Sequence, residues 1–94
     1  MSDIALKLRI HGAVQGVGYR NWMIRAARRQ GIDGWVRNRI DNTVEALVIG
    51  EESKIRDLIK QCYAGPPSAG VSRIEETPAE GVAPRGVFER KPTV

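Results

Sequence analysis

The hydrophobic period of this chain switches repeatedly along its length, and the order of the switches constrains its fold more than any other feature. From Ile4 to His11 the apolar Ile4, Leu6, Leu8 and Ile10 alternate with Ala5, Lys7, Arg9 and His11, the period of a strand with one buried face. Asn21 to Gln30 sets Trp22, Met23, Ala26 and Ala27 on one side and Arg25, Arg28 and Arg29 on the other. That helical pattern stops at Gly31, beyond which Ile32 can fold back onto the last turn. Trp35 to Ile40 and Thr43 to Ile49 are β-branched and apolar, and Asp41-Asn42 between them tolerates the left-handed backbone of a hairpin turn. Glu51 to Tyr63 places Ile55, Leu58, Ile59 and Cys62 at helical spacing, and Gly65-Pro66-Pro67 ends it. Two further strands are expected at Val71 to Glu76 and Gly86 to Lys91, separated by a loop over 77–85. The second of them is poorly apolar and is closed by Pro92.

The order is β-α-β-β-α-β plus a short C-terminal strand. It predicts an α+β, ferredoxin-like split-βαβ sandwich: an antiparallel sheet with two helices on one face, a single domain spanning 1–94. A right-handed crossover makes the first two strands parallel with the third inserted between them. Their C-terminal ends then share one edge of the domain. The loop Val14-Gln15-Gly16-Val17-Gly18-Tyr19-Arg20 leaves the first strand at that edge, and Asn38 lies near the end of the second.

This loop has the makings of an anion site. Its glycines free the backbone to curl, the unpartnered N–H groups and dipole of the following helix favour negative charge, and the Arg20 guanidinium can close on two phosphate oxygens at once. The 15 basic and 11 acidic residues, a formal +4, favour anionic partners without selecting one. A single cysteine cannot form an internal disulfide, and no Cys/His cluster offers a metal site. No charged and apolar leader opens the chain, and no apolar run approaches membrane-spanning length, so a cytoplasmic protein is expected.

Several chemistries are disfavoured. Cys62 has no arginine six positions on, so the cysteine-phosphatase loop is absent. The third glycine of a dinucleotide fingerprint and the Gly-Lys-Ser/Thr of a Walker loop are missing too. Without an evident acid for a poor leaving group, or a metal, a phosphate monoester is a hard substrate. A mixed anhydride of a carboxylic acid and phosphate is easier, because its leaving carboxylate has a pKa of about 4 to 5 and needs no proton at neutral pH. Positioning and charge neutralisation then suffice: an arginine with a backbone nest for the phosphoryl oxygens, and an amide carbonyl to orient a water in line. Arg20 and Asn38 match these roles.

From Leu8 to Phe88 the chain resembles the acylphosphatase family, through Gly12, Val14-Gln15-Gly16-Val17-Gly18-Tyr19-Arg20, Ala27, Gly31, Gly34-Trp35-Val36-Arg37-Asn38, Asp41, Val44-Glu45-Ala46 and Gly65-Pro66. The resemblance implies hydrolysis of acyl phosphates to a carboxylate and inorganic phosphate without metal or other cofactor. It makes Arg20 the phosphate-binding residue, Asn38 the orienter of the nucleophilic water, and the amides from about Gln15 through Gly16, Val17, Gly18 and Tyr19 to Arg20 the phosphate cradle. Tyr19 stands where the family often has phenylalanine, and Asn42 where it often has glycine.

The competing readings are a catalytically silent anion-binding module and an RNA-binding one. Against RNA, Thr43 to Ile49 lacks the aromatic-rich strand that stacks bases. His11, the only histidine, is read as a packed strand-end residue and is left out of the site; Trp22, Met23 and Trp35 are expected in the core. Arg25, Arg28 and Arg29 are expected on a solvated face. Partners reduce to the acyl phosphate and its product phosphate, with no membrane and, by expectation, a monomer.

Overall fold

In the computed structural model, which describes residues 3–81 and 86–94, the elements follow the expected order: β1 (Asp3–Ala13), α1 (Tyr19–Arg29), β2 (Asp33–Asn38), β3 (Val44–Glu51), α2 (Glu52–Ala64), β4 (Gly70–Pro78) and β5 (Phe88–Arg90). The sheet order is β4-β1-β3-β2-β5. β1 and β2 both run antiparallel to β3 and are therefore parallel to each other, with β3 between them. Part of the expected 77–85 loop, residues 82–85, lies outside the described residues; β4 itself extends through Thr77 to Pro78. One pair departs from an all-antiparallel sheet. β5 runs parallel to β2, with Gly34 opposite Phe88 and Val36 opposite Arg90, so the sheet is mixed.

The alternation of β1 buries Leu6, Leu8 and Ile10 on one face, where they meet Met23, Ala26 and Ala27 of α1 and Ile55, Leu58, Ile59 and Cys62 of α2. Both helices cover this face. α1 ends as its sequence demands: Gly31 takes φ 68°, its N–H donates to Arg28 O, and Ile32 N–H donates to Ala27 O as Ile32 folds back into the core. β3 is central and reads as a continuous buried run, Val44 to Ile49. β2 starts and stops two residues earlier than expected, ending at Asn38, because Arg39 and Ile40 enter the turn, where Arg39 N–H donates to Thr43 O and Asn42 takes φ 73°.

The opposite face corrects one expectation. Trp35 does not enter the main core; it packs with Leu47 and Ile49 on the face without helices, under the guanidinium of Arg37 at 4.7 Å and the ammonium of Lys91 at 5.6 Å. On α1, Arg25, Arg28 and Arg29 are exposed as expected, and Arg28 Nη2 also donates to Phe88 O at 3.0 Å.

That bond helps to fix β5, whose own sequence is too polar to explain its place. Gly34 N–H donates to Val87 O at 2.8 Å and Lys91 N–H to Val36 O at 2.9 Å, while Phe88 buries its ring, a contribution of roughly 1.5–3 kcal/mol. Gly34 is required here: a Cβ on it would lie 1.8 Å from Leu47 O, at a φ of 138°. Only glycine lets β2 sit this close to β3 while it also pairs with β5.

Candidate active site

The loop between β1 and α1 curls through Gly16 at φ 74° and Gly18 at φ 80°, and Gly18 is the residue from which α1 starts. A Cβ at either glycine would meet nothing within 4 Å. Their role is thus conformational, and the space in front of them is open. Trp22 is the first residue of α1 whose N–H finds a backbone acceptor, Gly18 O at 3.0 Å. The amides of Tyr19, Arg20 and Asn21 have none among the described residues, which leaves the positive end of the helix turned outward.

In front of that helix end lies a cavity of about 120 Å³, lined by Val14, Gly16, Gly18, Tyr19, Arg20 and Asn21 from the loop and first turn, Asn38 from β2, and Arg90 from β5. Arg20, from the first turn of α1, and Asn38, from the end of β2, are thus brought together, as the topology requires. Both are half-buried, and neither side chain hydrogen-bonds to another described residue, so both retain their bonding capacity. Burial first, and the charge of Arg90 second, lower the Arg20 pKa. Arg20 stays cationic at any ordinary pH. Among the described residues the lining holds no carboxylate.

Five of the seven expected residues line this cavity: Gly16, Gly18, Tyr19, Arg20 and Asn38. Gln15 and Val17 do not. Gln15 turns its side chain toward the β2–β3 turn, where Nε2 donates to Arg39 O and Thr43 O, both at 2.8 Å. Since both partners are acceptors, the NH₂ end must face them. Val17 packs against the main core. The ring of Tyr19 is buried and its hydroxyl donates to Cys62 O at 2.6 Å, tying α1 to α2. Burial pushes the Cys62 thiol up to about 12, which keeps it protonated and inert. His11 does not line this cavity, and its Nε2 is paired to Glu75 Oε1 at 2.5 Å.

Sequence reasoning missed Val14, Asn21 and Arg90 as lining residues. Val14 and Asn21 flank the motif and could have been found there. Arg90 could not, because it reaches the cavity only through the parallel pairing of β5. A larger depression of about 270 Å³ on the helix-free face is lined by Lys7, Leu8, Arg9, Glu45, Glu75 and Thr77, and its two carboxylates make it a poor phosphate site. Among the described residues no group of three or more His, Cys, Asp or Glu side chains converges. No helix among them is long and apolar enough to cross a membrane.

A split-βαβ sandwich with an arginine-bearing loop at the start of its first helix, and an amide facing it from the next strand, defines a small α+β phosphoryl-group hydrolase. The family model for acylphosphatases matches residues 6–89. An acylphosphatase of Acidovorax sp. (strain JS42) is 50% identical over 93 residues, covering 99% of this chain and 95% of that one. An acylphosphatase of Acidiphilium cryptum is 49% identical over 87 residues, covering 93% and 96%. The crystal structure of the Bacillus subtilis acylphosphatase superposes with a TM-score of 0.89 at 28% identity, covering 94% of this chain and 98% of that one. The chain belongs to the acylphosphatase family and is an acyl phosphate hydrolase. The RNA-binding and silent-module readings are not favoured.

Proposed function

We propose that Arg20 and the amides of the Gly16–Arg20 turn hold the phosphoryl group of an acyl phosphate while Asn38 orients the water that attacks it. The observation that carries this reading is the shared cavity, in which the unspent side chains of Arg20 and Asn38 face the free amides of α1. The water oxygen forms a bond to phosphorus as the bond from phosphorus to the carboxyl oxygen breaks, and the carboxylate departs with the electron pair. The proton released from the attacking water passes to the phosphate product or to solvent. The leaving group is stable as an anion at neutral pH, so the chain need not protonate it. The side chains of Gln15 and Val17 act on this site from behind, by fixing the turn, rather than by touching phosphate.

The test is hydrolysis of benzoyl phosphate by the intact protein in excess EDTA, with inorganic phosphate as a competitive inhibitor. Arg20→Ala should lose both phosphate affinity and turnover, whereas Asn38→Ala should lose turnover by roughly 100- to 1,000-fold while still binding phosphate. A folded Asn38→Ala protein with normal turnover removes the water-orienting role, and abolition by chelation with rescue by added metal removes the mechanism. We further infer one catalytic domain over 1–94, acting as a monomer in the cytoplasm. The contiguous core and the single buried cysteine support this, and a dimer mass in sedimentation or a membrane-fraction location would overturn it.

A further inference from the structure

We propose that Arg90 is a second anion-binding side chain of the active site, gripping the phosphoryl group from β5 while Arg20 holds it from α1. The inference rests on the reading that Arg20 and Asn38 form that site. Three observations carry it.

The first is placement. Phe88 points into the core, so the alternation of β5 puts Arg90 on the same, helix-bearing side, opposite Val36 and two residues short of the level of Asn38. There it lines the cavity with Arg20 and Asn38.

The second is orientation. Arg90 Nη2 donates to Asn21 Oδ1, on the residue that follows Arg20 in the first turn of α1. The guanidinium is therefore held at the helix end where the free amides lie, and four of its five N–H donors are left for a ligand. The strand that presents it is fastened on both sides of Arg90 by the Phe88 O and Lys91 N–H bonds.

The third is charge. Elsewhere in this fold Arg37 and Arg39 share Glu45, Arg9 meets Asp41, Arg56 meets Glu76, and Arg28 is spent on the Phe88 carbonyl. The cavity instead sets two guanidiniums against each other with no carboxylate among the described residues of its lining. That arrangement is unfavourable when empty, and the lowered pKa of Arg20 reflects it in part. It becomes favourable around a phosphate group of about −1.5 to −2 charge, which two cations neutralise and one does not. Both guanidiniums line this one cavity of about 120 Å³ together with Asn38, so both act on the phosphoryl end and the acyl chain extends outward.

The experiment compares Arg90→Gln, Arg90→Lys and Arg20→Ala in the intact chain, by calorimetric titration with inorganic phosphate and by steady-state hydrolysis of benzoyl phosphate. Arg90→Gln should weaken phosphate binding and raise KM by about tenfold each, with kcat changed less than about threefold, and Arg90→Lys should recover part of the loss. Thermal midpoints of both Arg90 variants should match wild type. Phosphate affinity within twofold of wild type in a folded Arg90→Gln protein overturns the proposal. So does an equal loss in the Gln and Lys variants accompanied by a lowered melting temperature, which would mark a structural part only. Failure of the underlying reading is separately visible, since it would leave Arg20→Ala binding phosphate normally.

Discussion

Gln15 supplies a demanding test, because it sits in the phosphate loop yet turns away from the phosphate site. Its Nε2 donates to Arg39 O and Thr43 O, the carbonyls that flank the turn just beyond Asn38. One side chain thus couples the loop that carries Arg20 to the strand end that carries Asn38. Replacing it by leucine keeps most of the volume and removes both donors. Each carbonyl retains a second partner, Arg39 O from Asn42 N–H and Thr43 O from Arg39 N–H. The cost is therefore two net hydrogen bonds rather than two orphaned acceptors: about 0.5–1.5 kcal/mol each, about 2 kcal/mol together. For a chain of this size that lowers the melting temperature by roughly 8–16 °C. Loosened coupling between Arg20 and Asn38 should cost about tenfold in kcat, since displacements near 1 Å can cost more. Phosphate affinity should change little, because the cradle itself is intact.

Gln15→Glu sharpens the test through pH. The introduced carboxylate would face two carbonyl oxygens, so its folded pKa is raised, and its destabilisation is greatest above that pKa and eases as pH falls through it. The glutamate variant should therefore be less stable than the leucine variant at pH 7 and approach it near pH 4. Differential scanning calorimetry across that range, with kcat measured alongside, decides the matter. A leucine variant that melts within about 2 °C of wild type with unchanged kcat would refute the coupling role.

Two further outcomes are expected. Tyr19→Phe removes the hydroxyl that bonds Cys62 O and should cost about 1 kcal/mol, with phosphate affinity within twofold of wild type; urea unfolding and phosphate titration check it. Glu45 is buried beneath Arg37 and Arg39. Burial alone would raise its pKa, but their hydrogen bonds and charges outweigh it and hold the carboxyl below its ordinary value. Its contribution is therefore full above the ordinary carboxylate range and is lost as pH falls through the folded value, so Glu45→Gln should cost about 2 kcal/mol at pH 7 and much less at pH 3 by urea denaturation. An equal cost at both pH values would contradict that account.

What the sequence determined by itself was whatever depends on near neighbours in the chain. The alternation of β1, the α1 stripe with its Gly31 stop, and the β1–α1 glycine turn are set by backbone freedom and by periods of two and 3.6, and all three were legible. Their order also predicted that β1 and β2 run parallel with β3 between them, which sufficed to bring the Arg20 loop and Asn38 to one edge. Tertiary structure decided what depends on register between distant segments. β5 is too polar for its periodicity to name a partner, yet burial of Phe88 and the backbone bonds of Gly34 and Val36 set it parallel to β2. That pairing carries Arg90 to Asn21, 69 residues earlier in the chain. Side-chain direction was decided there as well. The Gln15 side chain is drawn to the hairpin carbonyls, which no local pattern announces, and Trp35, which reads as core, is placed by the pleat of β2 on the face opposite Val36. A lone arginine in a weak strand has no local pattern to mark it, because its value comes from where the sheet delivers it.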